Sequence, residues 1–268
     1  MMRSNSLPMY DFPEVRASTK AILDAISHVF TNLVEASETK FPEISSHADL
    51  IQLWRDERTL FSQSCGLPYV ESLHDCVDIV ATLKWTGISD DRGWYRTVIV
   101  AREELRVASL SEVRGMQPVI TNQQSLSGWC SLGVALSEAT MDPQFVKPYV
   151  ESGGHVKSLQ MLQDKEADFA SVDPGTFQLL QRHRPSLTAG LHIIGHGPHV
   201  PATPMHVSKV RTAEIGALQA AVIEVFSRPE LSGARADIGI DGAVAISASD
   251  YSLIPGLVAR ANAVLPRC

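Results

Sequence analysis

The sequence lacks any pair of cysteines close enough for a C-x-x-C motif. Cys65, Cys76, Cys130 and Cys268 stand far apart, which excludes a zinc knuckle or dithiol redox motif and leaves reduced, mostly structural thiols as the expectation. It also lacks an excess of positive charge. With 23 lysines and arginines against 30 aspartates and glutamates, the formal net charge is -7, so no broad basic field exists for nucleic acid or anionic lipid. No apolar stretch is long enough to span a bilayer, and the opening residues MMRSNSLPMYDFPEVRASTK contain no apolar export core. As written, the chain is expected in the cytoplasm, or in the periplasm if its start is incomplete. Internal repeats and low-complexity segments are absent as well. An anionic ligand would therefore need a local site of hydroxyls, amides and a histidine.

What is present is an ordinary soluble composition, 44% apolar and 20% charged over 268 residues. That length exceeds one typical core and fits two lobes of roughly 100 to 150 residues each. Strand-like and helix-like stretches alternate, which predicts α/β architecture with mostly parallel sheets. The spacing predicts a strand over Ser4 to Tyr10, then an amphipathic helix from Pro13 to about Ala36 with Val15, Ile22, Leu23, Ile26 and Phe30 on one face. Further helices are expected at Asp49 to Arg55, Gly66 to His74, Ser127 to Thr140, His155 to Leu162, Pro174 to His183 and Thr212 to Ser227. Strands are expected at Thr59 to Gln63, Cys76 to Trp85, Tyr95 to Arg102, Gln117 to Thr121, Phe145 to Val150, Asp168 to Val172, Leu191 to Gly195 and Met205 to Ser208. The stretch HGPHVPATP reads as an irregular crossover.

The segment TNQQSLSGWCSL, Thr121 to Leu132, places two serines and a glycine where a helix begins. Ser125 or Ser127 can cap that helix by accepting from a first-turn N–H. The same helix start, with its unpaired amides and positive dipole end, can also hold an anion.

Several stretches, in order, carry a wider resemblance: SLPMYDFPEVR, LWRDERTLFSQSCGLPY, WYRTVIVARE, SLSGWCSL and GGHVKSLQMLQDKEADFASVDPGTFQLLQRHRP. Together the chain resembles the phosphate/phosphite/phosphonate substrate-binding proteins of ABC transporters, a branch of the type 2 periplasmic binding protein superfamily. That resemblance implies two α/β lobes with a ligand cleft and two crossover strands. Its lobes would comprise residues 1–98, 99–199 as an insertion, and 200–268 returning to the first lobe. It implies a bound phosphate, phosphite or phosphonate, no cofactor, no metal, an ABC transporter permease as partner, and a monomer. Carried over residue by residue, Tyr10, Ser62 and Ser64 become contacts from the first lobe. Ser125, Leu126, Ser127 and Gly128 become the cradle of the second, with the Leu126, Ser127 and Gly128 amides aimed at the oxygens. His155 and Asp173 complete the set, Asp173 suiting a ligand that keeps an acidic P–OH or carries an amine.

Each residue has a plainer structural role available: Tyr10 as an amphipathic core residue, Ser62 and Ser64 as turn residues, Asp173 as the N-cap before Pro174. Two rival functions are also legible. Ser127, His155 and Asp173 have the residue types of a hydrolytic triad, with Cys130 near by, although SLSGW is not a G-x-S-x-G elbow. His192, His196, His199 and His206 offer metal-ligand chemistry, but Gly195, Gly197 and Pro198 break the helix that would align the first three.

Overall fold

Proline sets the first boundary of the fold. In the computed structural model, which describes residues 2–209 and 214–267, the first strand is β1 (Arg3–Asn5), and Pro8–Tyr10 forms a 3₁₀ turn instead of continuing it. Pro8 has no N–H for a ladder and its ring fixes φ, so the strand expected to reach Tyr10 stops short. Cys268 and the expected helix start at Thr212 lie outside the described residues.

The chain divides into two units, Met1–Tyr95 with Pro201–Ser252, and Arg96–Val200 with Leu253–Cys268. The first unit is built on a sheet of order β11-β4-β10-β3-β1-β2. Here β2 is Ser37–Thr39, β3 Thr59–Gln63, β4 Val77–Trp85, β10 Pro204–Ser208 and β11 Ile240–Val244. β1 runs parallel to β2 and β3, whereas β10 is antiparallel to β3 and β4, and β11 to β4. The helix α1 (Arg16–Leu33) follows a 3₁₀ turn at Pro13–Val15, and the predicted apolar face is fully buried at Val15, Ile22, Leu23, Ile26 and Phe30. Phe30 meets Phe61 of β3 edge-on, with ring centroids 5.8 Å apart. A Ser46–Asp49 capping box starts α2 (His47–Arg55). The turn α3 (Gly66–Pro68) continues as a π-helical turn over Tyr69–Leu73.

The second unit has the order β7-β6-β8-β5-β9. Its strands are β5 (Trp94–Arg102), β6 (Pro118–Ile120), β7 (Val150–Glu151), β8 (Phe169–Val172) and β9 (Leu191–Pro201). β6 is parallel to β7 and β8, and β5 is antiparallel to β8. Pro148 keeps β7 shorter than the strand expected from Phe145, for the same reason that Pro8 shortens β1. β9 corrects the sequence reading in the opposite direction, since HGPHVP is strand as far as Pro201 rather than irregular crossover. Its place at the sheet edge explains this: an edge strand tolerates the missing donor of Pro198, which a central strand does not. Helices of this unit are α4 (Ser131–Ala139), α5 (His155–Gln163) and α6 (Pro174–His183).

Back in the first unit, α7 (Ile215–Ser227) buries Leu218, Val222 and Val225, with Ile215 half-buried, and α8 (Ser232–Ile238) follows. The last helix departs from expectation. Residues 200–268 were expected to return wholly to the first lobe, but α9 (Ile254–Val264) groups with the second unit and packs on α4. Gly133 makes the contact possible, because a Cβ there would stand 2.7 Å from Ala261 Cβ and 2.9 Å from its Cα. The Trp129 indole N–H then donates to the Leu265 carbonyl at 3.0 Å.

Gly133→Ala should therefore destabilise the protein by about 1 to 3 kcal/mol through overpacking. Gly256→Ala, in α9 but facing open space, should be neutral or stabilising by up to about 1 kcal/mol. Urea denaturation of the two variants checks this, and equal effects would refute the close-approach argument.

Candidate functional site

Adjacent parallel strands in the second unit end where helices begin. β6 leads to the helix opening at Leu126, β7 to α5 at His155 and β8 to α6 at Pro174, and the strands lie side by side in the order β7-β6-β8. The carboxyl edge of parallel strands is where open α/β sheets hold ligands, and each helix start brings amides and a positive dipole end to that edge. The candidates Ser125, Leu126, Ser127, Gly128, His155 and Asp173 all stand there.

Their roles divide. Leu126–Cys130 forms a π-helical turn that runs on into α4. Ser125 Oγ accepts from the Gly128 N–H at 2.8 Å, and the Ser125 carbonyl accepts from the Trp129 and Cys130 amides at 3.2 and 3.0 Å. Ser125 is thus the N-cap, and the Gly128 amide, expected to face ligand oxygens, is engaged by that cap. Leu126 and Ser127 stand in the first turn of the helix. Ser127 makes a different contact: its Oγ lies 2.8 Å from His155 Nε2.

His155 is half-buried at the start of α5, with Nδ1 enclosed and unpartnered. The Asp173 backbone N–H approaches its Nε2 at 3.4 Å. Loss of hydration holds the imidazole below its usual range, while the Asp173 carboxylate pulls the other way. Asp173 is buried, and its Oδ1 accepts from the Thr176 N–H at 2.8 Å, so the N-cap role is realised. A hydrolytic triad needs a carboxylate on the far nitrogen of the histidine; here Nδ1 has none, although Ser127 and His155 are in contact. Cys130 is fully buried.

In the first unit, Tyr10 and Ser64 follow the carboxyl ends of the parallel neighbours β1 and β3. Tyr10 is buried edge-on against Trp85, with centroids 4.6 Å apart, and its hydroxyl accepts from Thr203 Oγ1 at 3.4 Å. It also lines a cavity of about 10 Å³ with Gln63 and Thr19, as an amphipathic core residue would. Ser62 Oγ lies 3.2 Å from Ser6 Oγ. The Ser64 N–H donates to the Pro204 carbonyl at 3.0 Å, and its hydroxyl is buried without a partner.

Sequence reasoning missed several polar neighbours. Gln63 is wholly buried and donates to Thr203 Oγ1 at 2.9 Å, which joins it to Tyr10. Thr121 is buried with an unpartnered hydroxyl, and a Cβ on Gly128 would come within 2.3 Å of it. The glycine was the legible signal; the residue it accommodates was not. The four histidines do not assemble: His192, His196 and His199 belong to β9 of the second unit, where strand alternation sets His199 on the face opposite the other two, and His206 is buried in β10 of the first. Among the described residues no group of three potential ligands could hold a metal ion.

Residues 7–251 match the family model described as ABC transporter, phosphonate, periplasmic substrate-binding protein. The chain belongs to that family. It is a family of substrate-binding proteins rather than enzymes, which overturns the triad alternative. Solved structures extend the likeness at the level of the fold. PhnD1 of Prochlorococcus marinus, in complex with methylphosphonate, is 12% identical with a TM-score of 0.79, covering 98% of this chain and 99% of that one. A binding-protein component of an ABC phosphonate transporter from Pseudomonas aeruginosa is 15% identical with a TM-score of 0.73, covering 96% and 85%. The aliphatic sulphonate binding protein SsuA of Escherichia coli is 11% identical with a TM-score of 0.64, covering 99% and 88%. No curated protein matches by sequence. The family is periplasmic by description, and among the described residues no helix is long and apolar enough to cross a membrane.

Ser125→Ala removes the acceptor from the buried Gly128 amide and should cost about 0.5 to 2 kcal/mol of stability. Gly128→Ala should cost at least as much, since the new methyl must displace Thr121 or Ser125. Chemical denaturation measures both, and wild-type midpoints would remove Ser125 from the capping role.

Proposed function

We propose that the protein binds a small phosphorus oxyanion, phosphonate, phosphite or phosphate, without altering it, and delivers it to an ABC transporter permease. The observation that carries this reading is the helix start at Leu126, with its first-turn amides beside the Ser127–His155 pair. Oriented amides and a dipole end replace the hydration of phosphoryl oxygens without requiring a basic surface, which agrees with the net charge of -7. PhnD1, of the same fold, is complexed with methylphosphonate.

On this reading Ser127, His155 and the amides of Leu126 and Ser127 contact the ligand, Ser125 and Gly128 shape the helix start, and Asp173 supports His155 through its N–H. Tyr10, Ser62 and Ser64, at the ends of β1 and β3, are proposed as the first unit's contribution, as the resemblance implies. The protein acts as a monomer, in the periplasm like its family.

The test is a thermal-shift screen of phosphate, phosphite, methylphosphonate, aminoethylphosphonate and sulfate, because a ligand of the native state raises the melting temperature by mass action. Phosphorus compounds should raise it, and the absence of any shift would refute the reading. Ser127→Ala should weaken the best ligand by about 1 to 3 kcal/mol, roughly five- to more than a hundredfold in affinity by calorimetric titration.

A further inference from the structure

We propose that Arg267 is a positioning residue for the ligand site: by clamping Trp129 it fixes the π-helical turn Leu126–Cys130, and through that turn the reach of Ser127 to His155. The inference rests on the function proposed above and extends it to a residue far from the site in sequence. The turn mixes two registers. The Ser125 carbonyl accepts from the Trp129 N–H at 3.2 Å, the i, i+4 spacing of an α-helix, and from the Cys130 N–H at 3.0 Å, the i, i+5 spacing of a π-helix. The Ser131 N–H continues the π spacing to the Leu126 carbonyl. A π turn holds one residue more than an α turn, so relaxing it would swing the side chains ahead of it by about 100° relative to α4. Ser127 stands inside that turn. Its Oγ meets His155 Nε2 at 2.8 Å, a contact that a shift of about 1 Å would break. The register of the turn therefore decides whether the pair exists.

Trp129, next but one to Ser127, is where the turn is gripped. Its side chain is fully buried, its indole N–H donates to the Leu265 carbonyl at 3.0 Å, and the Arg267 guanidinium lies over its ring, 4.2 Å from the centroid. A planar, permanently charged guanidinium suits an indole face. The grip is itself fixed. The Arg267 N–H donates to Asn262 Oδ1 of α9 at 3.1 Å, and α9 is seated on α4 where Gly133 meets Ala261. Clamp, turn and the helix that the turn feeds thus belong to the second unit. On its other side the turn lies against Thr121, where a Cβ on Gly128 would come within 2.3 Å of the hydroxyl oxygen. Pinned on both sides, the turn keeps the wider register that brings Ser127 to the imidazole.

Two substitutions loosen the clamp in different ways. Arg267→Met keeps an apolar stem and removes the charge over the indole, whereas Trp129→Phe keeps a ring and removes the donor to Leu265. Each should weaken methylphosphonate by about three- to tenfold in calorimetric titration of the full chain. Coupling to Ser127 separates positioning from general loosening. Because Arg267 acts through that hydroxyl, Arg267→Met introduced into Ser127→Ala should change affinity by less than about twofold, while an effect unrelated to Ser127 would persist at full size. A second readout needs no ligand: the His155 Nε2 resonance in nitrogen NMR should move from its wild-type position in both clamp variants, as the hydrogen bond from Ser127 is lost. Since Arg267 is half-buried and Trp129 fully buried, Arg267→Met keeps the test decisive if Trp129→Phe does not fold. Wild-type affinity in the folded variants, a loss of full size in the Ser127→Ala background, or an unmoved His155 resonance would each overturn the inference and leave the proposed function standing. A wild-type protein that binds neither methylphosphonate, phosphite nor phosphate overturns the proposed function, and the His155 resonance then decides whether Arg267 positions the pair.

Discussion

A helix beginning in buried surroundings must find acceptors for its first amides, and in the second unit that requirement shapes everything around Leu126. Ser125 answers for one amide through its side chain and for two more through its carbonyl. The π-helical turn widens the helix start, and Gly128 lets it lie against Thr121 without a clash. The helix start stands at the positive end of a dipole, in a protein whose overall charge is negative.

The sheet supplies the remaining chemistry by adjacency. Because β7, β6 and β8 are parallel neighbours, the segments that follow them are delivered to one edge, although Ser127, His155 and Asp173 are separated in sequence by strands and helices. The contact between Ser127 and His155 and the approach of the Asp173 amide to the same ring follow from that order. The first unit repeats the device at β1 and β3, where Tyr10 and Ser64 follow the strand ends. There the polar neighbours are Gln63 and Thr203, from β3 and the approach to β10.

Membership in a substrate-binding family agrees with how these groups are used. The serine and histidine touch, yet no carboxylate orients the ring from its far side, so the pair lacks the third member that makes a serine nucleophilic. The same geometry suits recognition of a ligand that is left unchanged.

The sequence by itself determined the alternation of elements, the buried face of α1 from Val15 to Phe30, the proline-led start of α6 and the location of the serine-capped helix start at Leu126. These are local: periodicity, proline geometry and capping chemistry act within a few residues. Only the tertiary structure decided that HGPHVP would be strand, because the exemption for Pro198 comes from an edge position that no local pattern records. It also decided that α9 would join α4, since the fit of Gly133 against Ala261 unites residues far apart in the chain. The division between Ser125 and Ser127 has the same origin. Both serines are competent caps in sequence, and the neighbour that draws Ser127 away is a histidine brought beside it by strand pairing.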